Sequence, residues 1–363
     1  MIVFDRVSKV FTDGTAALDG LNLEVPTGRL TVFVGSSGSG KTTALRMINR
    51  MVEPTSGTIT VNGADVAGVD PVKLRLGIGY VIQNAGLMPH QRVIDNVATV
   101  PVLKGQSRRS ARAAAYQVLE RVGLDPKLAT RYPAQLSGGE QQRVGVARAL
   151  AADPPILLMD EPFSAVDPVV RHELQNEILR LQSELQKTIV FVTHDLDEAL
   201  RLADRVALFK GGLLQQYDEP ERLLARPAND FVARFIGLGR GYRWLQLIDA
   251  AGLPLHDVER VAADELPDRP QGDWAVVVDD AGAPVGWIDA EGLRRCRAGA
   301  SLSESMSGVG SLLRPQGNLS HALDAALSSP SGVGVAVDDG GKVIGGVLAA
   351  DVLAAVEALR GRS

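Results

Sequence analysis

Residues 35–43 read Gly35-Ser36-Ser37-Gly38-Ser39-Gly40-Lys41-Thr42-Thr43, glycines and a lysine at the spacing that a phosphate-binding loop requires. Glycine lets the backbone wrap closely around a chain of phosphates, and successive N–H groups turn inward as an anion nest. The N-terminus of a following helix adds the positive end of its dipole. In such a loop Lys41 reaches the β- and γ-phosphates of ATP, and the Thr42 hydroxyl offers an oxygen to Mg²⁺, a cation that keeps most of its waters and bridges phosphates. A flexible Gly/Ser linker with a chance lysine is the alternative. The setting argues against it, because the β-rich apolar residues 30–34 lead into the loop and the helix formers 42–51 follow.

A second constellation ends the apolar stretch Ile156-Leu157-Leu158-Met159 with two carboxylates, Asp160 and Glu161. Asp160 is placed to hold the Mg²⁺ shell. Glu161, next along a strand and so pointing the other way, is placed to take a proton from an attacking water as general base. Standing alone, the pair could be an ordinary acidic turn at a strand end. Together the two segments have the Walker A and Walker B patterns.

Between them lies Leu136-Ser137-Gly138-Gly139-Glu140-Gln141. A Ser-Gly-Gly turn opening the helix-prone stretch 140–151 offers small-residue backbone donors at a helix N-terminus, although in isolation it could simply cap that helix. In this order the three segments resemble the ATP-binding cassette (ABC) family, and the resemblance covers residues 1–237. It implies that two copies sandwich two ATP molecules, Ser137, Gly138 and Gly139 of one copy meeting the γ-phosphate in the Walker A loop of the other. By the same resemblance Gln83, in Tyr80-Val81-Ile82-Gln83-Asn84, is the Q-loop glutamine that touches Mg²⁺ or the attacking water. Ser164-Ala165-Val166-Asp167 resembles the D-loop, with Asp167 facing nucleotide and valine where the family more often has leucine.

His194, closing the stretch 188–194, resembles the switch histidine that contacts the γ-phosphate; a histidine after a strand is otherwise a structural cap. Phe11 stands where the family places an aromatic stacked on adenine, the alternative being a core phenylalanine beside a strand. Residues 84–97, with Gly86-Leu87-Met88-Pro89-His90, lie where importer subunits dock the coupling helix of a membrane protein, or are a surface loop.

These side chains need a scaffold of strands alternating with helices. Apolar runs at 30–34, 156–159, 188–193 and 205–209, with the charged helix-like stretch 170–186 between two of them, predict a largely parallel α/β core. Beyond about residue 237 the chain becomes rich in Ala, Gly, Asp and Val and repeats itself: Trp274-Ala275-Val276-Val277-Val278-Asp279-Asp280 aligns with Val333-Gly334-Val335-Ala336-Val337-Asp338-Asp339. Each copy reads as a hairpin through an Asp-Asp-x-Gly turn followed by a short helix, such as 349–359. The repeat resembles a pair of CBS domains, here 240–300 and 301–358, so the expected fold is a P-loop NTPase core with a C-terminal α+β tandem.

A cassette joined to a CBS pair resembles the osmoprotectant importer branch, whose cargoes are glycine betaine, choline, proline betaine or carnitine, and the junction 235–245 has the look of that branch. Import of another small solute, such as methionine or phosphate, is the runner-up. CBS domains that bind adenosyl nucleotides carry Thr or Ser before a ribose-binding Asp. At the two places, three residues apart, the second copy has Leu348 and Asp351 and the first has Asp289 and Gly292, which turns the expectation towards sensing of ionic strength or pairing with a twin.

Composition narrows the rest. The chain has 363 residues, enough for two or three domains, with 45% hydrophobic and 22% charged residues and a formal net charge of -5, which gives no electrostatic footprint for nucleic acid. Cys296 is the lone cysteine, so neither an intrachain disulfide nor a cysteine metal cluster is possible. Asp5, Arg6 and Lys9 interrupt the start where a signal peptide needs an apolar stretch. No apolar run reaches bilayer-spanning length, so the expected place is the cytoplasmic face of the membrane, reached through a permease, with an extracytoplasmic binding protein selecting the solute. DNA-repair and translation ATPases are set aside: the chain has one cassette and no heptad insertion. A catalytically idle relative is set aside as well, because Lys41, Glu161 and His194 are all retained.

Overall fold

A computed structural model of the chain describes residues 1–360 apart from Asn84, Ala165, Leu238 and Arg269. One residue each of the expected Q-loop, D-loop and 235–245 junction segments therefore lies outside the described residues. The chain divides into two compact units, Met1–Gly237 and Leu238–Ser363.

The first unit is built on a six-stranded sheet in the order Leu213–Asp218, Arg205–Lys210, Leu30–Gly35, Thr188–Thr193, Ile156–Asp160, Ile78–Val81. The first pair is antiparallel and the others are parallel. Leu30–Gly35, Ile156–Asp160 and Thr188–Thr193 are buried along their whole length, which is why they read as unbroken apolar runs rather than alternating ones.

A second, antiparallel sheet, in the order Ala16–Val25, Ile2–Val10, Ser56–Val61, Ala64–Asp65, was not foreseen from the sequence. Strands Ile2–Val10 and Ala16–Val25 run nine and ten residues. Register shifts between Phe4 and Val10 break the two-residue period of the former, although Leu21, Leu23 and Val25 of the latter keep it. Helix Lys41–Ile48 shares one core with both sheets: Leu45 and Met47 pack with Phe4 and Leu21 of the small sheet and with Phe33, Leu158 and Phe209 of the large one. Each such buried side chain contributes about 1.5–3 kcal/mol, so this core fixes the start of the helix against the sheet edge.

Parallel strands bring their carboxyl ends to one edge, where open α/β sheets bind ligands. The register shows the alignment directly: Val34 lies opposite Thr193, Val192 opposite Asp160 and Met159 opposite Val81. The glycine loop, the two carboxylates, His194 and Gln83 follow those ends in the chain. Helices Val93–Leu103, Arg108–Arg121 and Gly138–Leu150 pack on one another beside the sheet.

The second unit has two matching halves. In one, Arg260–Ala262 runs parallel to the hairpin Trp274–Val278/Pro284–Asp289, and helix Ala290–Arg297 follows. In the other, Leu312–Leu313 runs parallel to Val333–Val337/Val343–Leu348, and helix Ala349–Arg360 follows. The hairpin turns are alike because an aspartate closes each: Asp279 Oδ1 accepts from the Ala283 N–H at 2.8 Å and Asp338 Oδ1 from the Lys342 N–H at 2.8 Å. The halves differ in one crossover. Helix Leu319–Ser328 joins the first two strands of the second half, whereas no helix lies between Ala262 and Trp274 among the described residues. Trp287 and Val276 of one half pack with Val335 and Val343 of the other in a shared core.

Candidate functional site

The loop after Leu30–Gly35 is held tightly from behind. A Cβ on Gly35 would lie 2.3 Å from the Phe209 carbonyl oxygen, and one on Gly40, where φ is 101°, would lie 2.3 Å from that of Ala17. Only glycine fits at either place. Ser36, Ser37 and Gly38 form the exposed crest of the loop, Ser39 is buried beneath it, and Thr43 follows Thr42 into the helix. The Ser39 N–H donates to the Ser36 carbonyl at 3.2 Å, closing the turn.

Lys41, 4% exposed, folds over this loop. Its Nζ donates to the Gly35 and Ser36 carbonyls, both at 2.8 Å, and to Ser39 Oγ at 3.4 Å. Burial pushes the Lys41 ammonium down from the ordinary lysine range, against the opposing pull of Glu161 and Asp160.

Asp160 is the hub. The Thr42 hydroxyl donates to its Oδ1 at 2.8 Å, while Arg46 at 3.2 Å and the Tyr80 hydroxyl at 3.3 Å donate to Oδ2. The carboxylate is thereby fixed with one oxygen turned to the glycine loop. The Tyr80 contact, foremost, and Asp160 hold the Arg46 guanidinium further in its charged form, while burial pushes the Tyr80 hydroxyl up. Sequence reasoning missed both donors. Arg46 was findable, since it stands one turn after Thr42 and so on the same helix face; Tyr80 required the strand order.

Glu161 departs from the expected geometry. The strand ends at Asp160, and Glu161 turns at φ 45°, a left-handed conformation that is strained for a side-chain-bearing residue. Its N–H donates to the Val192 carbonyl at 3.0 Å, which pins the turn to the neighbouring strand. The turn brings Glu161 Oε2 to 3.2 Å from His194 Nδ1. His194 is in turn held between the strand end and the next helix: the Asp195 N–H donates to Thr193 Oγ1 at 3.0 Å, and Asp195 Oδ1 caps Leu196–Leu202 by accepting from the Asp197 and Glu198 N–H groups.

The other expected residues stand apart from this cluster. Gln83 is exposed and makes no hydrogen bond to Thr42 or Asp160 among the described residues. Ser137 caps helix Gly138–Leu150 in a reciprocal box, its N–H donating to Glu140 Oε2 at 2.7 Å and its Oγ accepting from the Glu140 N–H at 3.3 Å. Gly139 backs onto Val170, since a Cβ there would lie 2.5 Å from Val170 Cγ1. Asp167 Oδ1 accepts from the Val170 N–H at 3.2 Å, at the start of helix Pro168–Leu185. Phe11 is 41% exposed at a hairpin end, with Lys9 Nζ 5.3 Å from its ring centroid, so the core-phenylalanine alternative fails. Ser137→Ala removes one half of the capping box and is expected to destabilise the first unit by about 1 kcal/mol, read as a lower urea midpoint.

A strand, a glycine loop and a helix, with a threonine–aspartate pair at the carboxyl edge of a parallel sheet, define a P-loop nucleotide-binding fold. The ABC transporter family matches residues 18–164. The choline transport ATP-binding protein OpuBA of Bacillus subtilis is 41% identical over 317 residues, covering 83% of this chain and 82% of its own length. The carnitine transport ATP-binding protein OpuCA of Listeria monocytogenes is 43% identical over 299 residues, covering 80% and 75%. The glycine betaine uptake system ATP-binding protein YehX of Escherichia coli is 50% identical over 252 residues, covering 69% and 82%. Among solved structures, the ATP-binding cassette MJ0796, in a dimeric post-hydrolysis state bound to ADP and Pi, superposes with a TM-score of 0.57 at 32% identity, over 61% of this chain and 99% of that one. The chain belongs to the ABC transporter family of ATP-binding proteins.

Proposed function

We propose that the chain is the ATP-hydrolysing subunit of an importer for quaternary-amine osmoprotectants of the glycine betaine, choline and carnitine type. It works on the cytoplasmic face of a membrane that a separate permease crosses. Among the described residues no helix is long and apolar enough to cross a membrane. The relatives' names, which specify choline, carnitine and glycine betaine transport, support this cargo class over an amino acid or phosphate.

One observation carries the catalytic reading: the Thr42–Asp160 contact at 2.8 Å and the Glu161–His194 contact at 3.2 Å stand side by side at adjacent strand ends. The first offers hydroxyl and carboxylate oxygens, the donor set that Mg²⁺ prefers, on a carboxylate already fixed by Arg46 and Tyr80. Thr42 and Asp160 would hold the Mg²⁺, which would supply positive charge against that of the phosphates. Lys41 leaves the loop carbonyls for the phosphates, and the backbone N–H groups of residues 36–43 cradle them. Glu161 accepts the proton of the attacking water, and His194 holds the γ-phosphate side of the site. Gln83 reaches in from its loop. Ser137, Gly138, Gly139 and Asp167 serve the ATP bound by a second copy, a pairing supported by the dimeric cassette MJ0796. An extracytoplasmic binding protein delivers the solute to the permease.

The halves at 240–300 and 301–358 act as a CBS pair that tunes transport to ionic strength. The ribose positions disfavour a nucleotide ligand: Asp351 Oδ2 already accepts from His256 Nε2 at 2.8 Å and from the Leu348 N–H at 3.1 Å, and in the first half Gly292 stands at that place, its N–H donating to the capping Asp289 Oδ1 at 2.8 Å.

Uptake by proteoliposomes holding the chain, its permease and its binding protein tests both parts. Labelled glycine betaine, choline or carnitine should accumulate with ATP and labelled methionine or phosphate should not; the reverse pattern rejects the cargo. The same assay with residues 240–363 removed should lose its dependence on salt, and an unchanged salt response would remove the tail from regulation.

A further inference from the structure

We propose that Arg148 is a positioning residue that clamps the loop carrying Gln83 to the helix whose N-terminus carries Ser137, so that these two phosphate-facing segments move as one body. The proposal rests on the reading of Gln83 and Ser137 given above.

Arg148 lies in the last turn of Gly138–Leu150, about 15 Å along the helix from its first residue. Its terminal nitrogens donate separately, Nη1 to the Gly86 carbonyl at 2.7 Å and Nη2 to the Ala85 carbonyl at 2.6 Å. A planar fork on two successive carbonyls fixes both the place and the orientation of a loop, which a single donor does not. Burial lowers the Arg148 guanidinium from its ordinary value, and no acidic neighbour opposes that shift. A cation compensated by carbonyl dipoles alone is tolerated only where those carbonyls are held in place.

A steric contact supports the polar one. Gly145, three residues earlier on the same helix, lets the backbones approach so closely that a Cβ there would lie 3.3 Å from the Ala85 Cα. Ala85 itself is 2% exposed and sits at φ 54°, a left-handed conformation that persists in a non-glycine residue only when its surroundings over-determine it. Gln83 stands two residues before this grip and is exposed. A shift of the loop is therefore passed to the helix, and so to Ser137 at its far end.

The test compares ATP binding and steady-state turnover of the full chain. Arg148→Met keeps the stem of the side chain and loses the fork. It should lower kcat by about 10- to 100-fold, the effect of a misplaced catalytic segment, with ATP affinity changed less than about twofold because the Lys41 loop is untouched. Arg148→Lys, which can hold one carbonyl, should fall between. Gly145→Ala pushes on Ala85 with Arg148 intact and should lower kcat in the same direction by about threefold, which keeps the test decisive if Arg148→Met does not fold. Parental kcat in Arg148→Met, or ATP binding lost in step with turnover, overturns the clamp. Glu161→Gln measured alongside separates the two failures: if it stops turnover while the Arg148 and Gly145 variants do not, only the clamp is wrong.

Discussion

Glu161→Gln binds ATP as the parent chain does and turns it over at least about 100-fold more slowly, the span that removing a general base commands. The substitution is isosteric, and the features that hold residue 161 survive it. Its N–H still donates to the Val192 carbonyl, and a glutamine oxygen at the same place still accepts from His194 Nδ1. What disappears is the basic carboxylate, so the loss belongs to kcat and not to binding or stability. Steady-state hydrolysis with a parallel ATP titration measures it, and wild-type hydrolysis would refute the assignment of the base.

Lys41→Met is expected to weaken ATP binding by at least about 100-fold, because the buried charge proposed to meet the phosphates is gone. The unliganded fold should not suffer. Burial lowers the Lys41 ammonium from its ordinary range, so charging it costs stability at neutral pH, and that cost is relieved only as pH rises through the lysine range. Removing the charge offsets the loss of its bonds to the Gly35 and Ser36 carbonyls. The thermal midpoint of Lys41→Met at pH 7 should therefore be no lower than the parent's, while isothermal titration with Mg–ATP shows no heat of binding. A fallen midpoint would mean that Lys41 is there to hold the loop together rather than to meet a ligand, and retained binding would displace it from the phosphate site.

The parts of the site that were legible in the sequence are those whose geometry is local. The Walker A loop is one turn of chain between a strand and a helix, so its residue order already implies its shape. The expected strands at 156–159 and 188–193 coincide with Ile156–Asp160 and Thr188–Thr193 because a strand covered on both faces must be apolar throughout. The expected helices at 140–151 and 170–186 begin two residues earlier, at Gly138 and Pro168, because the Ser137 box and the Asp167 side chain cap them there.

Contacts set by strand order were not legible. Tyr80 reaches Asp160 only because Ile78–Val81 lies beside Ile156–Asp160, and Glu161 reaches His194 only because Thr188–Thr193 lies on the other side. Glu161 was expected to point away by strand alternation; the chain instead leaves the strand through a left-handed turn, which no local pattern announces. The antiparallel sheet of the first unit was only partly marked: register shifts break the alternation of Ile2–Val10, whereas Leu21–Val25 alternates buried and exposed and could have been read as a half-buried strand. In the second unit the aligned Asp-Asp turns revealed the repeat, but the crossover helix present in only one half lies outside the aligned stretch.

In the proposed cycle ATP is gripped between two copies of the chain and released by hydrolysis. The most direct measurement is the mass of the Glu161→Gln chain by sedimentation, with and without Mg–ATP. A dimer holding two ATP molecules, formed only when the nucleotide is present and dispersed by its removal, is the predicted result. A monomer at saturating ATP would contradict it.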